Sequence, residues 1–232
     1  MVSTSYSEFN SGLQRIKYLL DLERKNYKEP IKTDEILAVE ALRGGAVVLL
    51  VGMFEQCIKE MINEYIEDLT KNLNSANYAN LPQILQTTNV FVGLNRVLED
   101  RSKDKNNRIS AILSTCKTIT EFNLEPLAFT DTRSNPNSEQ LKTLLKNIDM
   151  NDPYATLKSR FTNKWKTQVT DRFIPDKLDE IISKRNLVAH TGKAISVLSR
   201  EDLKEYFRFI KILARILDIE IRIQMLKIKK SL

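Results

Sequence analysis

The run LRGGAVVLLVGMFEQCIKEMINEYIEDL, Leu42–Leu69, decides the fold. Its first part, Gly44–Phe54, carries no charge over 11 residues. A bilayer span takes about 20 such residues, so the run reads as a buried core helix, apolar on nearly all sides. The second part is amphipathic, with Phe54, Ile58, Ile62, Tyr65 and Leu69 recurring on one side. Thr33 and Asp34 stand where a helix cap belongs, so the spacing predicts one long helix over 34–71. Gly44 and Gly45 inside it each cost about 1 kcal/mol relative to Ala. Such a pair marks a close approach of another backbone, or a kink.

Upstream, Tyr6, Phe9, Leu13, Ile16 and Leu20 step by three and four, which predicts a first helix over 4–26, with Pro30 in the break that follows. Downstream, residues 75–166 are less regular. Short helices are expected at 81–86, 90–101, 107–122 and 138–148, with an exposed turn at 101–107 and a loop at 129–138. Order returns near Pro175, which suits the first turn of a helix whose apolar face is Leu178, Ile181, Ile182 and Leu187. Gly192 is a left-handed stop for it. Ser199 and Asp202 match a capping box that opens a final helix, striped by Leu203, Phe207, Ile210, Leu213, Leu217 and Ile221. The expected fold is an all-α bundle in a single domain, 1–232. Its core helices fall at about 4–72 and 174–230, around a variable helical insert at about 76–166.

Composition agrees. Gly and Pro number 6 each in 232 residues, well below the average of about 12% for the pair, too few for an all-β sandwich or barrel. The net charge is +6 and there is one histidine, His190. A single His excludes an HExxH zinc site. Cys57 and Cys116 lie too far apart for a zinc finger. Both read as small buried hydrophobes of a reducing compartment. The polar start, Met1–Asn10, has no signal-peptide core, so a cytoplasmic protein without membrane or metal partners is expected.

The histidine sits in SKRNLVAHTGKA, Ser183–Ala194. Asn186 and His190 are four apart and share a helix face about 40° wide, so the amide can orient the imidazole. Arg185 is about 140° from His190 on a straight helix. The two converge within one chain only if the helix distorts at His190; otherwise they converge across a twofold dimer.

Arg-Asn-x-x-x-His late in a basic all-α chain resembles the HEPN superfamily, whose signature is an Arg, four to six residues, then a His. The last two helices, RNLVAHTGK and EDLKEYFRFIKILARILD, carry the resemblance best. The Leu42–Leu69 run and SNPNSEQLKTLLKNI (134–148) are similar to the RiboL-PSP branch of that superfamily. The resemblance is firmest over 34–72 and 135–220. It implies an up-down helical bundle and a metal-independent endoribonuclease with no cofactor. It also implies a homodimer with both motifs at the twofold interface, and a toxin or anti-phage defence role with a possible antitoxin or defence-system partner. Arg185, Asn186 and His190 would be catalytic. A non-catalytic module binding RNA, nucleotide or a partner protein is the alternative.

Charge is compatible with RNA. Eight basic and four acidic residues lie between Lys158 and Arg185. Lys184 and Lys193 beside the motif, with Lys164, Lys166 and Trp165 upstream, are the expected RNA contacts, Trp165 by stacking on a base. Arg43 and Glu55, charges on the apolar long helix, are expected either to form a buried ion pair or to support the site.

Overall fold

Helix α1, Thr4–Asn26, and helix α2, Ile36–Thr70, form an antiparallel pair around which the molecule is built. A computed structural model describes residues 2–99, 104–131 and 137–232. Every element among them is helical. The last residues of the expected helix at 90–101, the start of the turn at 101–107 and the middle of the loop at 129–138 lie outside the described residues.

Ser3 caps α1 by accepting the Tyr6 N–H at 3.0 Å. A 3-10 turn, Thr33–Glu35, leads into α2. Neither Thr33 nor Asp34 caps α2; instead the Glu35 carboxylate takes the Lys32 N–H at 3.1 Å. α2 buries Val47, Leu50, Val51, Phe54, Ile58, Ile62 and Ile66 almost completely. By length and composition alone, Thr33–Thr70 would reach across a membrane. Its apolar residues here pack on four other helices, as a core helix does.

The insert consists of α3 (Gln83–Thr87), a π-helical turn at Thr88–Val92, α4 (Gly93–Glu99), α5 (Lys105–Thr120), α6 (Pro126–Thr130), α7 (Ser138–Asn147) and α8 (Pro153–Trp165). Two of these were not expected from the sequence. α8 starts at an Asp-Pro pair, where the Asp152 carboxylate accepts the Ala155 N–H at 3.3 Å and Pro153 needs no partner. α6 likewise begins at Pro126. Residues 105–107, expected in a turn, are the first turn of α5 because the Asp104 side chain accepts the Asn107 N–H at 3.0 Å. Cys57 is buried, but Cys116 on α5 is only half-buried.

α9, Phe173–Thr191, and α10, Arg200–Ser231, complete the bundle. Ser199 caps α10 with a reciprocal bond from Asp202, as the sequence predicts. α10 lies along α2 and carries α8 on its far side; α9 packs on α2. Asp218 of α10 is buried and accepts from the Ser3 N–H and the Tyr65 hydroxyl, each at 3.1 Å. One contiguous core runs from Phe9 to Ile228.

Candidate functional site

The site is built on α9, which is tied down along its first half and exposed at its end. Asp179 accepts the Ser138 N–H at 2.8 Å and the Ser138 hydroxyl at 2.6 Å, fastening α7 to α9. Glu180 accepts the Tyr206 hydroxyl of α10 at 2.6 Å and pairs with Lys177 at 2.9 Å. Burial pushes the Glu180 carboxyl up, but these two hydrogen bonds override it and hold it below its ordinary range.

Val188 is the buried anchor nearest the motif. It packs on Gly44 of α2 so tightly that a Cβ there would sit 3.1 Å from a Val188 methyl. Gly44 is thus closely approached, though by the side chains of Val188 and Ala194 and not by the backbone expected of the Gly pair; Gly45 faces open space within 4 Å. The helix runs regularly through Thr191, with the Gly192 N–H donating to the Val188 carbonyl at 2.8 Å. Gly192 then takes φ +70°, the left-handed stop, which disfavours a Cβ.

The residues beyond turn back under control of a buried charge cluster. Ala194 is buried against Gly44, and the Leu198 N–H returns to the Ala194 carbonyl at 2.8 Å. The Leu198 carbonyl accepts from Arg43 at 3.1 Å. Arg43 is buried and donates to Glu23 at 2.8 and 3.2 Å and to Glu29. Arg200 shares Glu23, at 2.8 and 3.0 Å, and also reaches the Tyr27 carbonyl. Burial raises the Glu23 carboxyl; the two guanidinium groups outweigh this and hold it below the ordinary value.

The expected Arg43–Glu55 ion pair is not formed. Twelve residues of helix separate them by about 18 Å. Glu55 pairs instead with Lys59 at 2.7 Å, half-exposed and apart from the motif. Arg43 supports the segment that follows the motif, through Leu198.

Arg185, Asn186 and Lys184 are half-buried; Leu187, Ala189, His190, Thr191 and Lys193 are exposed. Asn186, expected to orient His190, accepts from its neighbour in the chain: Arg185 Nη1 donates to Asn186 Oδ1 at 3.0 Å. Among the described residues Arg185 Nε is buried without a hydrogen-bond partner. Because α9 stays helical past His190, Arg185 and His190 remain about 140° apart around the axis.

Trp165 and its lysine neighbours lie elsewhere. Trp165 packs on Phe173, the first residue of α9, with ring centroids 5.7 Å apart. Phe173 is 12 residues, about 18 Å of helix, from Arg185. The indole also packs on Phe161 and Phe209, and the Arg208 guanidinium covers it at 4.2 Å. It is a packing residue, and the expected base-stacking role does not fit its surroundings. Lys164 and Lys166 are exposed at this far end, Lys166 as the left-handed cap of α8. Much of the basic stretch is also neutralised locally, by Lys158–Asp171, Arg160–Glu220, Arg172–Asp176 and Lys177–Glu205 pairs. Of the five expected RNA contacts, only Lys184 and Lys193 adjoin the motif. Among the described residues no group of three or more His, Cys, Asp or Glu is placed to hold a metal.

The all-helical bundle presents an Arg-Asn-x-x-x-His motif at the stopped end of α9, and the family that its sequence matches is one of helical domains with nuclease or RNA-related function. The RiboL-PSP-HEPN family model matches residues 10–222. The chain belongs to that family. No curated protein and no solved structure matches it.

Proposed function

We propose that the chain is a metal-independent endoribonuclease that acts as a homodimer, with Arg185, Asn186 and His190 of both subunits facing one cleft. One observation carries the reading. The family's motif lies on an exposed helix end, with Leu187 48% exposed on the same side as His190, while one subunit alone holds Arg185 and His190 apart. A second subunit over this face would cover Leu187 and bring a second motif alongside.

The chemistry follows from the residue types. RNA supplies its own nucleophile. His190 takes the proton of the 2′-OH, the 2′-oxygen bonds to the adjacent phosphorus, and the bond from phosphorus to the 5′-oxygen breaks. The partner subunit's His190 gives a proton to that leaving oxygen. The products are a 2′,3′-cyclic phosphate and a 5′-OH. Arg185 offers a fork of N–H donors to the charge that builds on the phosphate oxygens. Its present contact with Asn186 parks the guanidinium beside the motif, ready to turn to phosphate. Lys184 and Lys193 add positive charge for the RNA backbone. Uncontrolled RNA cleavage arrests growth, so the activity suits a toxin or anti-phage effector of the cytoplasm, restrained by a partner protein.

The test is to incubate wild type and His190→Ala with total RNA in EDTA and to map the ends. Wild type should leave cyclic phosphates, and His190→Ala, with an unchanged circular dichroism spectrum, should leave none. Cleavage retained by pure His190→Ala sinks the proposal. Tight RNA or protein binding without cleavage by wild type would assign a non-catalytic module instead.

A further inference from the structure

Away from the motif, α1 and the start of α10 enclose a cleft of about 290 Å³. Lys17 and Arg24 project from α1 and Lys204 from α10, with Arg200 at the end of the cleft. Leu20 and Phe207, both half-buried, present apolar surface to the same space. Arg200 is already neutralised by the buried Glu23. The remaining three cations face one lining carboxylate, Asp21, which pairs with Arg24 at 3.1 Å. Glu201, 3.6 Å from Lys204, is exposed and lies outside the cleft. Lys17 makes no ion pair among the described residues. With Arg200, Arg24 and Lys204 each paired, the cleft keeps a surplus of one positive charge, on Lys17, next to an aromatic ring.

An anion with an apolar body matches that combination: the charge meets Lys17 and Lys204, whose pairing with Glu201 is solvent-exposed and weak, and the body lies on Phe207 and Leu20. The volume is at the small end for a ligand pocket, which suits one small molecule and not a polymer strand. We propose that this cleft binds a small organic phosphate, a phosphate monoester of an aromatic or apolar group. It is separate from the Arg185–His190 motif and independent of cleavage. Arg200 joins the two regions, since it lines the cleft and shares Glu23 with Arg43, which holds Leu198 beyond the motif.

The experiment is calorimetric titration of the full chain with phenyl phosphate, inorganic phosphate and phenol. Phenyl phosphate should bind at least ten-fold more tightly than either half-molecule. The exposed-surface double variant Lys17→Ala/Lys204→Ala should weaken it ten-fold or more. Phe207→Leu should weaken phenyl phosphate and leave inorganic phosphate unchanged. His190→Ala should bind phenyl phosphate as wild type does. Equal affinity for phosphate and phenyl phosphate, undiminished binding in the double variant, or loss of binding in His190→Ala would each overturn the proposal. So would a short RNA whose binding needs Lys17 and Lys204 while phenyl phosphate fails to bind, since the cleft would then be part of an RNA track.

Discussion

His190 is exposed, and Asn186, the residue expected to orient it, accepts from Arg185. The Arg185 guanidinium is the more constrained group, half-buried with an unpartnered Nε. Arg185→Lys keeps a charge but loses the planar fork. It should lower the cleavage rate about 100-fold, the order for loss of one transition-state donor, with thermal unfolding unchanged; gel assays on a defined RNA would measure it. Glu23 is buried and shared by two guanidinium groups. Glu23→Gln leaves Arg43 buried without its main counter-charge, a loss of about 3–5 kcal/mol in urea unfolding. Its pH dependence has a definite sign. A carboxyl held below its ordinary value of 4.5 contributes stability that is full above that value and fades as pH falls through the lower folded one. Wild-type stability should therefore drop in acid below about pH 4.5. The drop should be smaller in Glu23→Gln, as denaturant midpoints across pH 3–6 would show.

At the scale of elements, the contact of α9 with α2 through Gly44 sets the height of the motif above the bundle. Gly44→Val drives a branched side chain into Val188, which already lies 3.1 Å from a Cβ position. The expected cost is about 1–3 kcal/mol, with reduced cleavage because the end of α9 is pushed outward. Its neighbour is the control: nothing lies within 4 Å of a Cβ at Gly45, so Gly45→Ala should stabilise by about 1 kcal/mol and leave cleavage intact. Paired melts and cleavage assays would separate the two. The long helices were legible because stripes of apolar residues and local caps specify them: Ser3 for α1, Gly192 for α9, Ser199 with Asp202 for α10. α6 and α8 were less so. They are short, and their Pro-led starts resemble turns until the core residues Phe129 and Phe161 are seen to be buried.

For the whole molecule, the exposed face around Leu187 is where a second subunit belongs in the proposed enzyme. Leu187→Glu should convert a dimer to a monomer in light scattering and abolish RNA cleavage, while the isolated fold stays intact because the side chain is already 48% exposed. A monomeric wild type would count against the shared cleft. The sequence alone determined the all-α class, the family, the motif and the helix stop behind it, since each rests on neighbours within a few residues of one another. Only the tertiary structure decided which charges meet. It moved Arg43 from Glu55 to Glu23 and placed Trp165 and its lysines at the far end of α9. It also neutralised the basic stretch with local pairs, and gathered Lys17, Lys204 and Phe207 into one cleft. The physical reason is that helical periodicity fixes the face on which a side chain lies, whereas its partner depends on which other helix the packing of the core brings against that face.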